Sequence, residues 1–160
     1  MRLSMLPIMA ASVAVPALGL RVNLTYSTVY DQKTRPLREV ACWNPNVPGL
    51  FPGGDDWLLQ QNVAPGILAI PSITGWDHPD CISCWSVTWE EGDRTRMLLA
   101  IDRSEEGFVT SHERMSSLTN GQADDISSLE PLEVIARRVS LENCGFPPPN
   151  GMRKETSDEL

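Results

Sequence analysis

The side chains best suited to chemistry in this sequence are four cysteines, Cys42, Cys81, Cys84 and Cys144. Cys81 and Cys84 form a Cys-x-x-Cys pair, and His78 precedes them closely. In a reducing compartment this pattern indicates a thioredoxin-like redox pair or half of a zinc site. In an oxidising compartment an even number of cysteines indicates structural disulfides instead. Four cysteines allow three pairings, and spacing alone does not choose among them.

The N-terminal segment indicates which compartment applies. One positive charge is followed by an apolar run over residues 6–15 and by the small residues Ala17 and Gly19 of a signal-peptidase site. A membrane anchor is the alternative, but Pro16 ends the run before the about 20 apolar residues that a spanning helix needs. We therefore expect a signal peptide over residues 1–19, secretion, and two structural disulfides.

Other chemical motifs are few. The sequence contains no Gly-x-Ser-x-Gly, phosphate loop or zinc signature, so we expect no metal and no cofactor. His78, in a loop before Pro79, and His112, in a predicted helix, are expected to be ordinary solvated residues. Asn23-Leu24-Thr25 is a sequon, which makes Asn23 a candidate glycosylation site.

Five tryptophans suit either sugar binding or core packing, because their rings offer large apolar faces. We expect Trp76 and Trp85 to lie in the core. Trp43 and Trp57 fall in predicted loops and are the better candidates for exposure.

Short strands must position these side chains. Apolar alternation predicts strands at residues 22–26 and 85–89, where Trp85 and Trp89 fall on one face. A continuous apolar run predicts a buried strand at 97–101, and a last strand begins at 132–136.

Helix signals are sparse. The segment from Thr110 to Glu113 is a capping box, with the Thr110 hydroxyl as the predicted cap. Asn120 and Gly121 tolerate positive φ and are expected to end this helix. A second short helix is predicted at about residues 55–61.

Composition and length favour one small β-rich domain. The chain has 160 residues, 41% of them hydrophobic, and 13 prolines that favour turns and short strands over a helical bundle. We expect a mostly β domain with short helices, a barrel or sandwich, over residues 20–146, and a flexible polar tail at 147–160. A net charge of −8 argues against nucleic acid and membrane surfaces as partners.

An ordered set of short motifs extends across the predicted domain. The motifs are Val22-Asn23-Leu24-Thr25-Tyr26, Val40-Ala41-Cys42, Gly75-Trp76, Cys81-x-x-Cys84-Trp85, Leu99-Ala100-Ile101-Asp102, Gly107-Phe108, Thr119-Asn120-Gly121-Gln122-Ala123 and Cys144-Gly145. Together they resemble the cerato-platanin family of small secreted fungal proteins. The chain departs from the usual Cys-Gly-Thr-Cys-Trp of that family, because Ile82 and Ser83 replace the central pair.

The resemblance implies a six-stranded double-psi β-barrel, like the first domain of expansins. It also implies the disulfides Cys42–Cys81 and Cys84–Cys144. We further expect a shallow carbohydrate-binding groove. Its residues would be Asp102, Thr119, Asn120, Gln122, Tyr26, Tyr30 and Asp31.

The function that the resemblance implies is non-catalytic. We expect a cell-wall protein that binds chitin (N-acetylglucosamine) oligomers or similar β-glycans, with expansin-like loosening of cell-wall polysaccharide and elicitation of plant defence through a host receptor. One alternative is a weak glycoside hydrolase or transglycosylase with Asp102 as the acid and Asp31 as a candidate second carboxylate; Asp102 could instead cap a turn. Another alternative is a surface-active protein that self-assembles.

The last four residues bear on the cellular location of the protein. Ser157-Asp158-Glu159-Leu160 differs at one position from the Lys-Asp-Glu-Leu retrieval signal. We expect the extracellular space or cell wall as the main location, with retention in the endoplasmic reticulum as the alternative.

Overall fold

A computed structural model of the chain describes residues 19–46, 60, 63, 65–124 and 130–146. The first 18 residues of the expected signal peptide lie outside the described residues. So do Trp57, most of the predicted helix at 55–61, and the tail from residue 147.

Six strands close into a barrel. They are β1 (Leu20–Tyr26), β2 (Ile67–Ile70), β3 (Ser83–Trp89), β4 (Arg94–Arg103), β5 (Phe108–Thr110) and β6 (Leu132–Val139). Around the barrel they follow the order β1-β5-β2-β4-β3-β6. β1 pairs with β5, and β2 with β4, in parallel, while the other neighbours are antiparallel. The expected six-stranded barrel is therefore confirmed.

Short helices lie outside the barrel. The α-helix α1 spans His112–Thr119, directly after β5. Single 3-10 turns span Thr28–Asp31, Leu37–Glu39, Gln122–Asp124 and Leu141–Cys144. In the part of the chain that the structure describes, no helix has the length and apolarity to cross a membrane.

The core extends from the barrel interior to the connection between β1 and β2. Four consecutive residues of β4, residues 98–101, are buried. Leu37, Val40 and Cys42, from the connection, belong to the same buried cluster. A strand covered on both faces needs a continuous apolar sequence, which explains why this run lacks alternation.

Two disulfides join the connections to the barrel, Cys42 with Cys81 and Cys84 with Cys144, and both expected pairings are confirmed. The first bond attaches the β1–β2 connection to the loop before β3. The second attaches β3 to the turn after β6. In the chain-entropy estimate, each closed loop is worth about 4 kcal/mol.

The start of α1 corrects the predicted cap. Thr110 is the last residue of β5, and its hydroxyl donates to the carbonyl of Ile67 at 2.8 Å. The cap is Ser111, whose hydroxyl oxygen accepts from the Arg114 amide at 3.1 Å. The predicted end is confirmed, since Asn120 has the left-handed φ of 58°.

Ile82 occupies a backbone conformation that a β-branched residue rarely adopts. Its φ is 56°, and its amide donates to the carbonyl of Ala100 at 2.8 Å. Cys81 directly before it and Cys84 two residues after it are each held by a disulfide. The surrounding bonds therefore impose a conformation that costs about 1–3 kcal/mol for such a side chain.

We predict that Ile82→Gly is more stable than Ile82→Ala by about 1 kcal/mol, because glycine adopts a left-handed φ without the Cβ clash. Free energies of unfolding from urea titration measure the difference. Ser86, in the extended strand β3, supplies the matched control, at which alanine should be the more stable of the two. An Ile82→Ala variant as stable as Ile82→Gly would contradict the strained backbone.

Candidate functional site

The Asp102 carboxylate lies near the end of β4 with 13% of the side chain exposed. Its Oδ1 accepts hydrogen bonds from the amides of Ala41 and Arg103, both at 2.9 Å. Its Oδ2 accepts from the Tyr30 hydroxyl at 3.0 Å and lies 3.8 Å from an Arg35 guanidinium nitrogen. The carboxylate is thus surrounded by donors and holds the β1–β2 connection against β4.

Tyr30 is presented by the 3-10 turn Thr28–Asp31, which Ser27 begins. The guanidinium of Arg35 lies over its ring, 5.6 Å from the centroid. Burial, and then the adjacent Asp102 carboxylate, raise the pKa of Tyr30 well above its usual value. The phenol therefore stays protonated and donates to Asp102.

Arg35 and Gln60 fix the chain around Tyr30. Besides Asp102, Arg35 contacts the Glu39 carboxylate at 3.2 Å and the Gln60 Oε1 at 3.5 Å. The Gln60 amide nitrogen donates to the carbonyls of Val29 at 3.0 Å and Gln32 at 3.2 Å. A side-chain network therefore supplements the little backbone pairing, an isolated β-bridge at Pro36, that the described part of this connection contains.

Asp31 joins the turn after β1 to the helix after β5. Its carboxylate accepts from the amides of His112 at 2.9 Å and Glu113 at 3.0 Å. Together with Ser111 it satisfies amides in the first turn of α1, where a negative charge is also favourable.

Tyr26 contacts the same helix. Its ring meets the His112 ring edge-on, with centroids 4.7 Å apart. His112 is half-buried, so the expectation that it is a solvated residue is wrong. The cause is the tertiary contact with β1, which the helix sequence does not reveal.

A polar cavity of about 410 Å³ opens between the turn after β1, the start of β2 and the first turn of α1. Its described lining includes Tyr30, Asp31, Lys33, Gln60, Glu113 and Arg114. We call it the Tyr30 cavity. It combines an aromatic ring, an amide and charges of both signs.

The predicted turn at the end of α1 does not join this cavity. Thr119 is fully buried; its hydroxyl donates to the Met115 carbonyl at 3.0 Å and accepts from the Ala123 amide at 2.9 Å. It therefore holds the helix end in place and faces no solvent.

Asn120 and Gln122 are exposed on a different part of the barrel surface. The Asn120 side-chain oxygen accepts from Arg94 at 2.9 Å, and Arg94 is the first residue of β4. Asp102 comes eight residues later on that strand, a distance of about 26 Å at about 3.3 Å per residue. Of the predicted binding residues, Tyr30 and Asp31 line the Tyr30 cavity. Tyr26 and Asp102 are not among its lining residues but contact the elements around it, through His112 and Tyr30. The Asn120 turn lies apart.

Trp76 and Trp43 differ from their expected places, whereas Trp85 packs against the core. Trp76 is 47% exposed, so its expected place in the core is wrong. It lies in the loop between β2 and β3, where its position in a motif says nothing about burial. Trp85 is half-buried and meets Phe108 edge-on at 5.4 Å. Trp43 is half-buried against the core instead of exposed.

The cysteine and histidine alternatives are also resolved. Cys81 and Cys84 pair with different partners, which excludes a redox pair between them. His78 is half-buried, so the expectation that it is a solvated residue is also wrong, and its Nδ1 accepts from the Asp80 amide at 3.2 Å. No group of three His, Cys, Asp or Glu side chains within the described residues is arranged to hold a metal.

Asn23 is exposed on β1, and its glycosylation stays a prediction.

Sequence reasoning missed five charged or amide residues of this region: Lys33, Arg35, Gln60, Glu113 and Arg114. Each lies in a turn, a connection or a helix, and the capping box that contains Glu113 indicates only where a helix begins. An arginine a few residues after Tyr30 was the one available signal, because arginine frequently stacks on aromatic rings.

The barrel, its two disulfides and the polar cavity define a class of small disulfide-bonded β-barrel proteins. The Cerato-platanin family model matches residues 22–146. The chain therefore belongs to the cerato-platanin family.

Relatives agree with this assignment over most of their length. The heat-stable 19 kDa antigen of Coccidioides posadasii is 31% identical, over 91% of this chain and 99% of the relative. Cerato-platanin of Ceratocystis fimbriata f. sp. platani is 26% identical, over 90% and 96%. The crystal structure of cerato-platanin 3 from M. perniciosa matches with a TM-score of 0.68 and 30% identity, over 79% of this chain and all of that one.

The Tyr30 contact predicts a pH dependence. The folded-state pKa of Tyr30 is raised, so above pH 10, the usual pKa of tyrosine, the unfolded chain loses this proton before the folded one. Stability present below pH 10 is then lost as the pH rises further. Between pH 9 and pH 11, the free energy of unfolding should fall by about 1.4 kcal/mol more in the native sequence than in Tyr30→Phe.

Urea titrations at both pH values measure this difference. The substitution also removes the bond to Asp102, which lowers stability at either pH, so only the change between the two pH values is diagnostic. Equal changes in the two proteins would show that Tyr30 is not buried beside the carboxylate.

Proposed function

We propose that this protein is a secreted, non-catalytic cell-wall protein that binds β-glycan oligomers, including chitin oligomers, at the Tyr30 cavity. The observation that carries the proposal is the cavity itself, in which Tyr30 lies among donors and acceptors. Membership of the cerato-platanin family and the two disulfides support it, since disulfides persist in oxidising compartments. Export to the extracellular space or cell wall is part of the proposal, with retention through Ser157–Leu160 as the alternative.

The lining of the cavity suits sugars. Its volume of about 410 Å³ falls in the range of about 300–1,000 Å³ of small-molecule sites. Sugar hydroxyls both donate and accept hydrogen bonds. Carboxylates supply acceptors, Lys33 and Arg114 supply donors, and the Gln60 amide supplies both.

The carboxylates favour binding over hydrolysis. A glycosidase acid must carry a proton to deliver, and a second carboxylate must act as base or nucleophile. Asp102 accepts from two backbone amides and a phenol, and Asp31 accepts from two backbone amides. Both side chains are therefore engaged in holding the backbone, which argues against the hydrolase alternative.

The biological consequences proposed for binding are expansin-like loosening of polysaccharide and elicitation of plant defence through a host receptor. A surface-active, self-assembling protein is the second candidate. It is favoured by the exposure of Leu20 at 55%, Trp76 at 47% and Val29 at 39%. Surface tension measured beside glycan binding would separate the two candidates.

We predict that Glu113→Ala weakens the binding of the N-acetylglucosamine tetramer by about 1–2 kcal/mol, because it removes an acceptor from the cavity wall. Isothermal titration calorimetry measures the affinity. Glu105→Ala is the control, since Glu105 is exposed in the turn between β4 and β5 and does not line the cavity.

The same preparation should release no reducing sugar from chitin or glucans. Absence of binding at millimolar oligomer, or tight binding by Glu113→Ala, would refute the assigned site. Release of reducing ends that Asp102→Asn abolishes would establish the hydrolase instead.

A further inference from the structure

We infer that the Tyr30 cavity recognises a glycan residue that carries a carboxylate, a uronic acid, and that Arg114 and Lys33 bind it. The inference rests on the proposed glycan binding at this cavity and adds the chemical class of one sugar residue.

Arg114 is a half-buried cation without a side-chain partner among the described residues. Its backbone amide donates to Ser111, but within this part of the chain its guanidinium forms no ion pair or hydrogen bond. The other described arginines that lack such a partner, Arg38, Arg103 and Arg137, are exposed. A charge that is partly removed from water without compensation is unfavourable. A ligand anion would supply the missing partner.

The Arg114 side chain packs closely against the backbone of Gly66, which has no side chain. A Cβ added at Gly66 would be 2.8 Å from the Nε of Arg114 and 2.9 Å from its Cγ. Glycine at this position therefore lets the arginine stem pack against the start of β2. Packing restricts the side chain before a ligand arrives, which lowers the entropic cost of binding.

The other charges of the cavity leave this cation available. Both oxygens of Asp31 accept from amides of α1, and the Ser111 hydroxyl accepts from a third. The helix N-terminus is thus already satisfied and is not itself the anion site. Glu113 and Lys33 are both exposed to water, where the repulsion and the attraction that they exert on an anion are screened alike. The half-buried Arg114 therefore makes the larger contribution, and Lys33 adds a weaker second cation to the wall.

Two properties narrow the class of ligand further: the shape of the guanidinium group and the negative net charge of the protein. The planar guanidinium presents paired donors that match the two oxygens of a carboxylate. The net charge of −8 repels anions over the whole molecule, but at physiological ionic strength this repulsion is screened beyond about 8 Å. A single uronate within a mostly neutral oligomer therefore fits better than a polyanion.

A matched ligand pair tests the inference. The probes are cellotetraose and the same tetramer with one terminal glucose oxidised to glucuronate, with inorganic phosphate as a third arm. We expect the secreted protein to bind the glucuronate form about tenfold more tightly at 150 mM salt, because a charged hydrogen-bond pair is added. The preference should shrink at 500 mM salt. Arg114→Gln and, more weakly, Lys33→Gln should remove it, while Arg137→Gln on β6 should not.

The outcomes separate this inference from the proposed function. Equal affinity for the two tetramers overturns the inference and leaves glycan binding intact, whereas no binding of these tetramers or of chitin oligomers overturns both. Phosphate that competes as well as the glucuronate tetramer would indicate a general anion site and would also overturn the uronate assignment. A preference that persists in Arg114→Gln, with an unchanged thermal unfolding midpoint, would refute the role of Arg114.

Discussion

The β1–β2 connection depends on one carboxylate. The described part of this segment contains turns, an isolated β-bridge at Pro36 and no strand, so few backbone hydrogen bonds attach it to the barrel. Asp102 supplies the attachment, because its two oxygens accept from the Ala41 amide and the Tyr30 hydroxyl. The neighbouring amide of Cys42 donates to the Ile101 carbonyl at 3.1 Å, and the Cys42–Cys81 disulfide follows directly. Removal of the acceptor would leave partly buried donors without partners, which costs more than the loss of an exposed hydrogen bond.

This use of Asp102 changes how an acidic residue at a strand end should be interpreted. A carboxylate in such a position resembles a catalytic acid, yet here its bonds are those that position a backbone. Asp31 likewise positions backbone, because its carboxylate accepts from two amides at the start of α1. The side chains that remain available to a ligand are those not engaged in such bonds, among them Glu113, Lys33 and Arg114 in the cavity wall.

The elements predicted correctly from the sequence are those whose own residues form a recognisable apolar pattern. The alternation at residues 22–26 and the apolar run at 97–101 correspond to β1 and the buried part of β4. β2 has four residues and β5 has three, which are too few to show a hydrophobic periodicity. They form strands because they pair with neighbouring strands of the barrel. The burial of Thr119 and the exposure of Trp76 also depend on tertiary packing, which motif position does not report. The disulfides came from family resemblance, since spacing alone left three pairings open.

The position of the Tyr30 cavity follows from the strand order. β1 and β5 are parallel neighbours, with Tyr26 opposite Thr110, so both strands end at the same edge of the barrel. The turn after β1 and the helix after β5 must therefore begin side by side, and the Ser27 amide donates to the Thr110 carbonyl at 2.9 Å. β2 runs antiparallel to β5 and so begins at this edge. Three chain segments converge there, namely the two ends of the β1–β2 connection and the helix after β5, and their polar backbone groups must find partners. Asp31 and Ser111 satisfy several of these groups, and the space left between the connections is the cavity.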